Sequence, residues 1–271
     1  MGPGTGLICV LGDAHLDVVV RLAGPLAPDT DTEASTSVGL GGQAANVAAW
    51  VVALGGRSRL ITARATDLAA GLVAGELSRR GVEVVGPVVG GRTGVVVSLS
   101  DGGARSMLTD RGVGPLLPAD AIDPAWLDGC AWLHLSAYAL IRNPVQGAAL
   151  AAARAAASRS ARLSVDLSST AAIAGYGVAE FREVIALLRP DVVLGNQAEA
   201  DLVGALPGTE MIVKLGAGGV LAGGRRYPAV RTEAADATGA GDAFAAGYLV
   251  GGVALGLAAA ARAVATIGAM P

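Results

Sequence analysis

The run Gly239-Ala240-Gly241-Asp242 sets a carboxylate after three small residues and before an apolar stretch, AFAAGYLV, that suits a helix. A helix start leaves backbone N–H groups unpaired and carries the positive end of the peptide dipoles. Small residues there let an anion come close to those groups. Gly239, Ala240 and Gly241 therefore suit an anion hole for a phosphate. Asp242 would then face the group being phosphorylated, accepting the proton of a hydroxyl whose oxygen attacks phosphorus. The same four residues also suit a plain turn closed by an N-cap aspartate.

Four further groups could serve such chemistry. Gly41-Gly42-Gln43-Ala44-Ala45-Asn46 opens a second helical pattern. Paired glycines admit a ligand, and the amide of Asn46 can donate to and accept from a polyol; a glycine turn fits equally. Asp13 and Asp17 follow the first strand, where the carboxyl ends of a parallel sheet form a ligand crevice. They could hold sugar hydroxyls or be ordinary loop carboxylates. Asn196 and Glu199 stand at a strand–helix junction, as supports for phosphates and a water-mediated Mg²⁺ or as a capping box. Lys214 with Gly216, Gly218 and Gly219 forms a strand end and glycine turn that could line a nucleotide, with the lysine tip otherwise in solvent. Asp166 follows another strand and could face the same crevice. Arg105 could reach an acidic substrate or be solvated, and Arg80, Arg154 and Arg159 read as surface charges. Phe244 reads as core.

Composition narrows the alternatives. Charged residues are 16% of the 271-residue chain and the net charge is -3, so there is no basic excess to hold a nucleic-acid backbone. Hydrophobic residues reach 52%, which argues against disorder. Neither a Walker-type loop nor a Gly-x-Gly-x-x-Gly run after the first strand occurs. Cys9 and Cys130 read as buried thiols. His15 and His134 have no metal-ligand spacing. No positive region precedes an apolar run at the start, and no stretch reads as a convincing membrane span. The expectation is a cytoplasmic protein without membrane or nucleic-acid partners.

The elements that must position these residues alternate. Strands are expected at 7–12, 16–22, 58–65, 130–140, 161–168, 190–196 and within 210–224. Helices are expected at 39–56, 67–81, 144–160, 181–188, 197–206 and 241–269. Segment 24–38 reads as an exposed turn or edge strand. Runs 92–99 and 104–109 flank Asp101-Gly102-Gly103, a hairpin signal. The alternation predicts a helix-covered parallel sheet. The hairpin would be an antiparallel patch, and segments 16–38 and 88–110 would form a small extra sheet, a lid within one domain over 1–271.

In this order, GGQAANVAAWVVALG and DATGAGDAFAAGYL resemble the two signatures of the ribokinase-like (PfkB) carbohydrate kinases, with a resemblance from about residue 7 to the end. It implies a three-layer αβα sandwich, a mostly parallel central sheet and a β-sheet lid. It further implies ATP-dependent phosphorylation of a hydroxyl, of hydroxymethyl type, on a small sugar or polyol, with Asp242 as base and residues 239–241 as anion hole. A nucleoside kinase, or a binding protein that kept the fold without turnover, is the alternative. Asp17 maps to substrate hydroxyls, and Gly41, Gly42 and Asn46 to the sugar-binding signature. Asn196 and Glu199 map near Mg²⁺ and phosphate, Lys214 to Gly219 to the nucleotide turn, and Asp236 to a monovalent-cation loop, often a K⁺ site. Lid-to-lid homodimers are common in such proteins. Against that pattern, His15 replaces an asparagine, Gln43 a lysine of ribokinases proper, and SVDLSST the Asp-Pro-Asn-x-Arg run of many members. The closing helices are shorter.

Overall fold

The computed structural model describes residues 6–101 and 105–271. Its thirteen strands, in chain order, are β1 Leu7–Leu11, β2 His15–Leu22, β3 Ala34–Gly41, β4 Arg57–Ile61, β5 Glu83–Val85, β6 Thr93–Ser100 and β7 Arg105–Gly112. Then come β8 Cys130–Ser136, β9 Arg162–Asp166, β10 Val192–Asn196, β11 Glu210–Lys214, β12 Val220–Ala222 and β13 Arg225–Tyr227. The helices are α1 Gln43–Ala53, α2 Leu68–Arg79, α3 Ala137–Leu140, α4 Val145–Ala157, α5 Thr170–Tyr176, α6 Val178–Leu188, α7 Gln197–Val203 and α8 Ala240–Val264.

Nine strands form one sheet, ordered β13-β12-β11-β10-β9-β8-β1-β4-β5. It is parallel from β11 to β5, and β12 and β13 turn antiparallel at one edge. β1, LICVL, is apolar throughout because both faces are covered. Leu7, Cys9 and Leu11 pack with Ala148, Ala149 and Ala152 of α4 and with Phe181 of α6. Ile8 and Val10 pack on the opposite face with Val47 and Trp50 of α1 and Phe244 of α8. Alanines at the helix contacts let those helices lie close to the sheet. These are the three layers that the resemblance implies.

A second sheet, ordered β3-β2-β6-β7, stands beside the first. The strands of segments 16–38 and 88–110 meet there, and β2 pairs parallel with β6. Residues 102–104 of the expected hairpin turn lie outside the described residues, and β6 and β7 pair antiparallel on either side. Four chain crossings connect the two sheets, after β1, after β3, before β6 and after β7.

Several boundaries differ from the sequence expectation. Gly39–Gly41 prolong β3, so α1 begins at Gln43 rather than at 39. The strand at 130–140 ends at Ser136, and the next four residues form α3. α5 had no expected counterpart, although the Ser169 hydroxyl caps it by accepting from Ala172 N at 3.2 Å. The last helix stops at Val264 and breaks at Gly251 and Gly252. It is long and apolar enough to cross a membrane by length and composition, yet Phe244, Leu249 and Ala259 are buried in the core. Beyond it the chain turns back, and Trp50 Nε1 donates to Ala269 O at 2.9 Å.

Candidate active site

The parallel strands deliver their last residues to one end of the sheet. Asp13 lies two residues beyond β1, and Ser136, Asp166, Asn196 and Lys214 end β8, β9, β10 and β11. The first turns of α1 and α8 meet there. Asn46 Nδ2 donates to Asp242 Oδ2 at 2.8 Å. Burial pushes the Asp242 carboxyl up to about 7. The Asn46 hydrogen bond and the Lys214 charge oppose that shift, while the Asp166 and Asp13 charges reinforce it. A carboxyl so placed can exchange a proton near neutral pH.

Gly239 N-caps α8 with φ 77°, a left-handed backbone that favours glycine. A Cβ there would lie 2.6 Å from Ala269 Cα, so the returned tail fits against it. The Ala240 amide donates to Ala237 O at 3.3 Å, and Ala243 N bonds back to Gly239 O at 2.9 Å. The N–H groups of Gly241 and Asp242 fall between these, in the first turn whose amides lack intrahelical acceptors.

On the opposite side, Gly41 lets the Asp17 carboxylate rest on its backbone: a Cβ there would lie 2.3 Å from Asp17 Cγ. Asp17 Oδ1 is 3.2 Å from His15 Nε2, and Asp13 Oδ2 is 3.6 Å from His15 Nδ1. The imidazole thus stands between the two carboxylates. Gly42, φ 102°, turns the chain into α1 over the Asp13 carbonyl. The buried Asn46 Oδ1 and Asp13 Oδ1 have no hydrogen-bond partner among the described residues.

On the third side, Asn196 and Glu199 form a reciprocal capping box. Asn196 Oδ1 accepts from Glu199 N at 2.9 Å, and Glu199 Oε2 accepts from Asn196 N at 2.8 Å. Burial pushes the Glu199 carboxyl up. Lys214 does not reach into solvent: its Nζ is 2.6 Å from Asp166 Oδ2. Gly216, Gly218 and Gly219 form the turn that follows β11. Asp236 accepts from Thr238 N, Thr238 Oγ1 and, across the tail, Gly268 N. Arg80, read as a surface charge, pairs with Glu76 at 2.9 Å and donates to Pro271 O.

A cavity of about 790 Å³ lies beside this cluster. Asp17, Val19, Ser37 and Gly39 line it from the small sheet, and Asp236 and Thr238 from the loop before α8. Asp13, Asn46 and Asp242 are not among its lining residues.

The carbohydrate-kinase model of the pfkB family matches residues 5–270. The chain belongs to the pfkB family of carbohydrate kinases. Solved structures share the fold. Adenosine kinase from Sinorhizobium meliloti is 22% identical over 98% of this chain and 96% of its own, with a TM-score of 0.86. Ribokinase from Thermotoga maritima is 23% identical over 98% and 96%, with a TM-score of 0.79. A proposed ribokinase II from E. coli, solved with ATP and Mg²⁺, is 19% identical over 97% and 94%, with a TM-score of 0.83.

Within this pfkB chain, the structure adds residues that the sequence did not single out. The Arg105 side chain lies outside the described residues. Arg111, further along β7, sits 3.5 Å from Asp13 Oδ2 and over the Tyr138 ring at 4.3 Å. Ser168 holds φ 64°, strained for a non-glycine residue. Its hydroxyl donates to Gln43 Oε1 at 2.7 Å, and its N–H donates to Asp166 Oδ1 at 3.0 Å. The alternation along β7 could have found Arg111. No local pattern announces Ser168.

Proposed function

We propose that this protein is an ATP-dependent kinase that phosphorylates a hydroxymethyl group of a small sugar or related polyol, with Asp242 as the base. The carrying observation is the Asp242 carboxyl, raised to about 7 by burial and held by Asn46 at the start of α8. Family membership supports a phosphotransferase. Asp17 and Asp13, with Gly41, Gly42 and Asn46, would bind the acceptor hydroxyls. The acceptor O–H would give its proton to Asp242 as its oxygen bonds to the γ-phosphorus and the bond to ADP breaks. Amides of the Gly239–Gly241 run would meet the phosphoryl charge. Asn196 and the Gly216–Gly219 turn would line the nucleotide. The small sheet would close as a lid and exclude water, the competing acceptor.

ATP and Mg²⁺ accompany the E. coli relative, and the residues here fit such a pair. Glu199, with one oxygen committed to Asn196 N, suits a water-mediated neighbour of Mg²⁺ rather than a direct ligand. Bound Mg²⁺ would supply charge neutralisation to the phosphates. Both Asp236 oxygens accept hydrogen bonds, so the carboxylate would be a charge beside a K⁺ in that loop. A homodimer would form through the lid. A registered apolar row, Val38-Val18-Val97-Leu108, crosses its outer face, and its ends are 62% and 56% exposed.

The 790 Å³ cavity favours a second acceptor class, a nucleoside, because it exceeds a free sugar and carries Val19, Val96 and Met107 on one wall. An ADP-release screen over pentoses, hexoses, sugar phosphates and nucleosides, with Mg²⁺ and with K⁺ or Na⁺, tests both. Turnover should appear with one acceptor class and fall at least about 10²-fold in Asp242→Asn with the fold intact. Tight binding with no Asp242-dependent turnover would instead identify a binding protein.

A further inference from the structure

The chain has nineteen arginines and a single lysine, Lys214. On a solvated surface the two cations serve alike, and nearly every such position here is arginine. A compact ammonium differs from a planar guanidinium in carrying a point charge that fits a narrow space. Lys214 occupies such a space. Its side chain is 17% exposed, and its Nζ is 2.6 Å from the nearly inaccessible Asp166 carboxylate.

Gly241 shows what lies on the other side of that ammonium. Its φ is not in the left-handed region, so the backbone there does not call for glycine. An added Cβ would meet one atom within 4 Å, Lys214 Nζ at 3.3 Å. Glycine at 241 thus leaves the ammonium room against the first turn of α8. The other face of the clamp is fixed by Ser168. Its strained turn aims an N–H at Asp166 Oδ1, and its hydroxyl ties the turn to Gln43. Asp166 Oδ2 is left for Lys214.

Resting on the kinase reading above, we propose that Lys214 is a catalytic residue of the phosphoryl-transfer centre, its ammonium clamped by Asp166 beneath Gly241 to meet the charge on the transferring phosphoryl group from its γ position onward, and not a residue that holds the ADP part of the nucleotide. Lys214 stays protonated and transfers nothing. The proton passes from acceptor to Asp242, the new oxygen–phosphorus bond forms, and the bond to ADP breaks. The charges facing Asp242 are then Lys214 from β11, Asp166 from β9 and Asp13 from the loop after β1, with the Asn46 amide from α1.

A lone lysine makes the test direct. Protein labelled with ¹⁵N-lysine gives one side-chain ammonium resonance, followed while calorimetry reports binding of Mg·AMP-PNP or Mg·ADP. The expected result is a large displacement with AMP-PNP, which carries a third phosphoryl position, and a small one with ADP. Binding of AMP-PNP without movement of the resonance overturns the assignment. If neither nucleotide binds, the kinase reading falls, and the inference with it.

Lys214→Met should lose about tenfold or more of the preference for AMP-PNP over ADP. That variant leaves Asp166 buried and unpaired, so Asp166→Asn with Lys214→Met is the companion. The pair should restore thermal stability without restoring the preference. Recovery of the preference in the double variant would mean that Lys214 served only to neutralise Asp166, and would overturn the proposal.

Discussion

Asn46 and Asp242, 196 residues apart in sequence, join the first turns of α1 and α8 through one hydrogen bond of 2.8 Å. That bond favours the ionised carboxyl and works against the burial that holds the carboxyl up near 7. It links the two sequence signatures physically.

Removing the donor should therefore shift the pH profile. Turnover should rise with pH through the Asp242 midpoint, since the base must be unprotonated. In Asn46→Ala the midpoint should move upward, carrying the acid limb with it. At pH 7 the rate constant should fall by about tenfold, while at pH 9 most of it should return. A pH–kcat series on both proteins checks this. An unshifted limb would exclude Asp242 as the titrating base.

Asp242→Asn should be more stable than the parent at alkaline pH. Below the ordinary carboxyl value both native and unfolded chains hold the proton. Between about 4 and 7 the unfolded chain ionises first, so native stability falls as pH rises, and above 7 the cost is complete. Asparagine removes it. The melting temperature should rise by a few degrees at pH 8, with the gap closing toward pH 4.

His134 sets the opposite slope. Burial lowers its imidazole to about 4, and Nδ1 lies 2.8 Å from Ser164 Oγ inside the sheet. As pH falls below 6.5 the unfolded chain gains a proton that the native state refuses, so stability drops until about 4. The loss is on the order of 3 kcal/mol at completion. His134→Asn should flatten this part of a stability–pH curve from chemical denaturation, whatever its offset.

Gly41→Ala should act on acceptor binding. The new methyl would meet the Asp17 carboxylate and turn it from its resting place. The expected outcome is an acceptor KM raised about tenfold or more, one charged hydrogen bond's worth, with the KM for ATP nearly unchanged. Equal effects on both KM values would show that Asp17 does not face the acceptor.

Much of this was legible in residue patterns. The all-apolar LICVL dictated a strand covered on both faces, and GAGDAF dictated where α8 begins. Asp13, Asn196 and Lys214 were placed at strand ends because alternation put turns there. What escaped depends on tertiary contact. Lys214 bends to Asp166 rather than to water only because β9, β10 and β11 lie side by side. The parallel β2–β6 pairing joins runs nearly eighty residues apart, whereas turn signals report only neighbours. Arg80 looks solvated until the returning tail supplies the Pro271 carbonyl.

The four crossings between the sheets have a mechanical consequence. Each carries glycine: Gly12, Gly42, the pair Gly90-Gly91, and Gly112 with Gly114. Because β2 and β6 are each hydrogen-bonded on both sides, neither inner strand of the small sheet can swing out alone. Any rocking must turn the plate as one piece on all four tethers together, so stiffening a single tether should brake the whole motion.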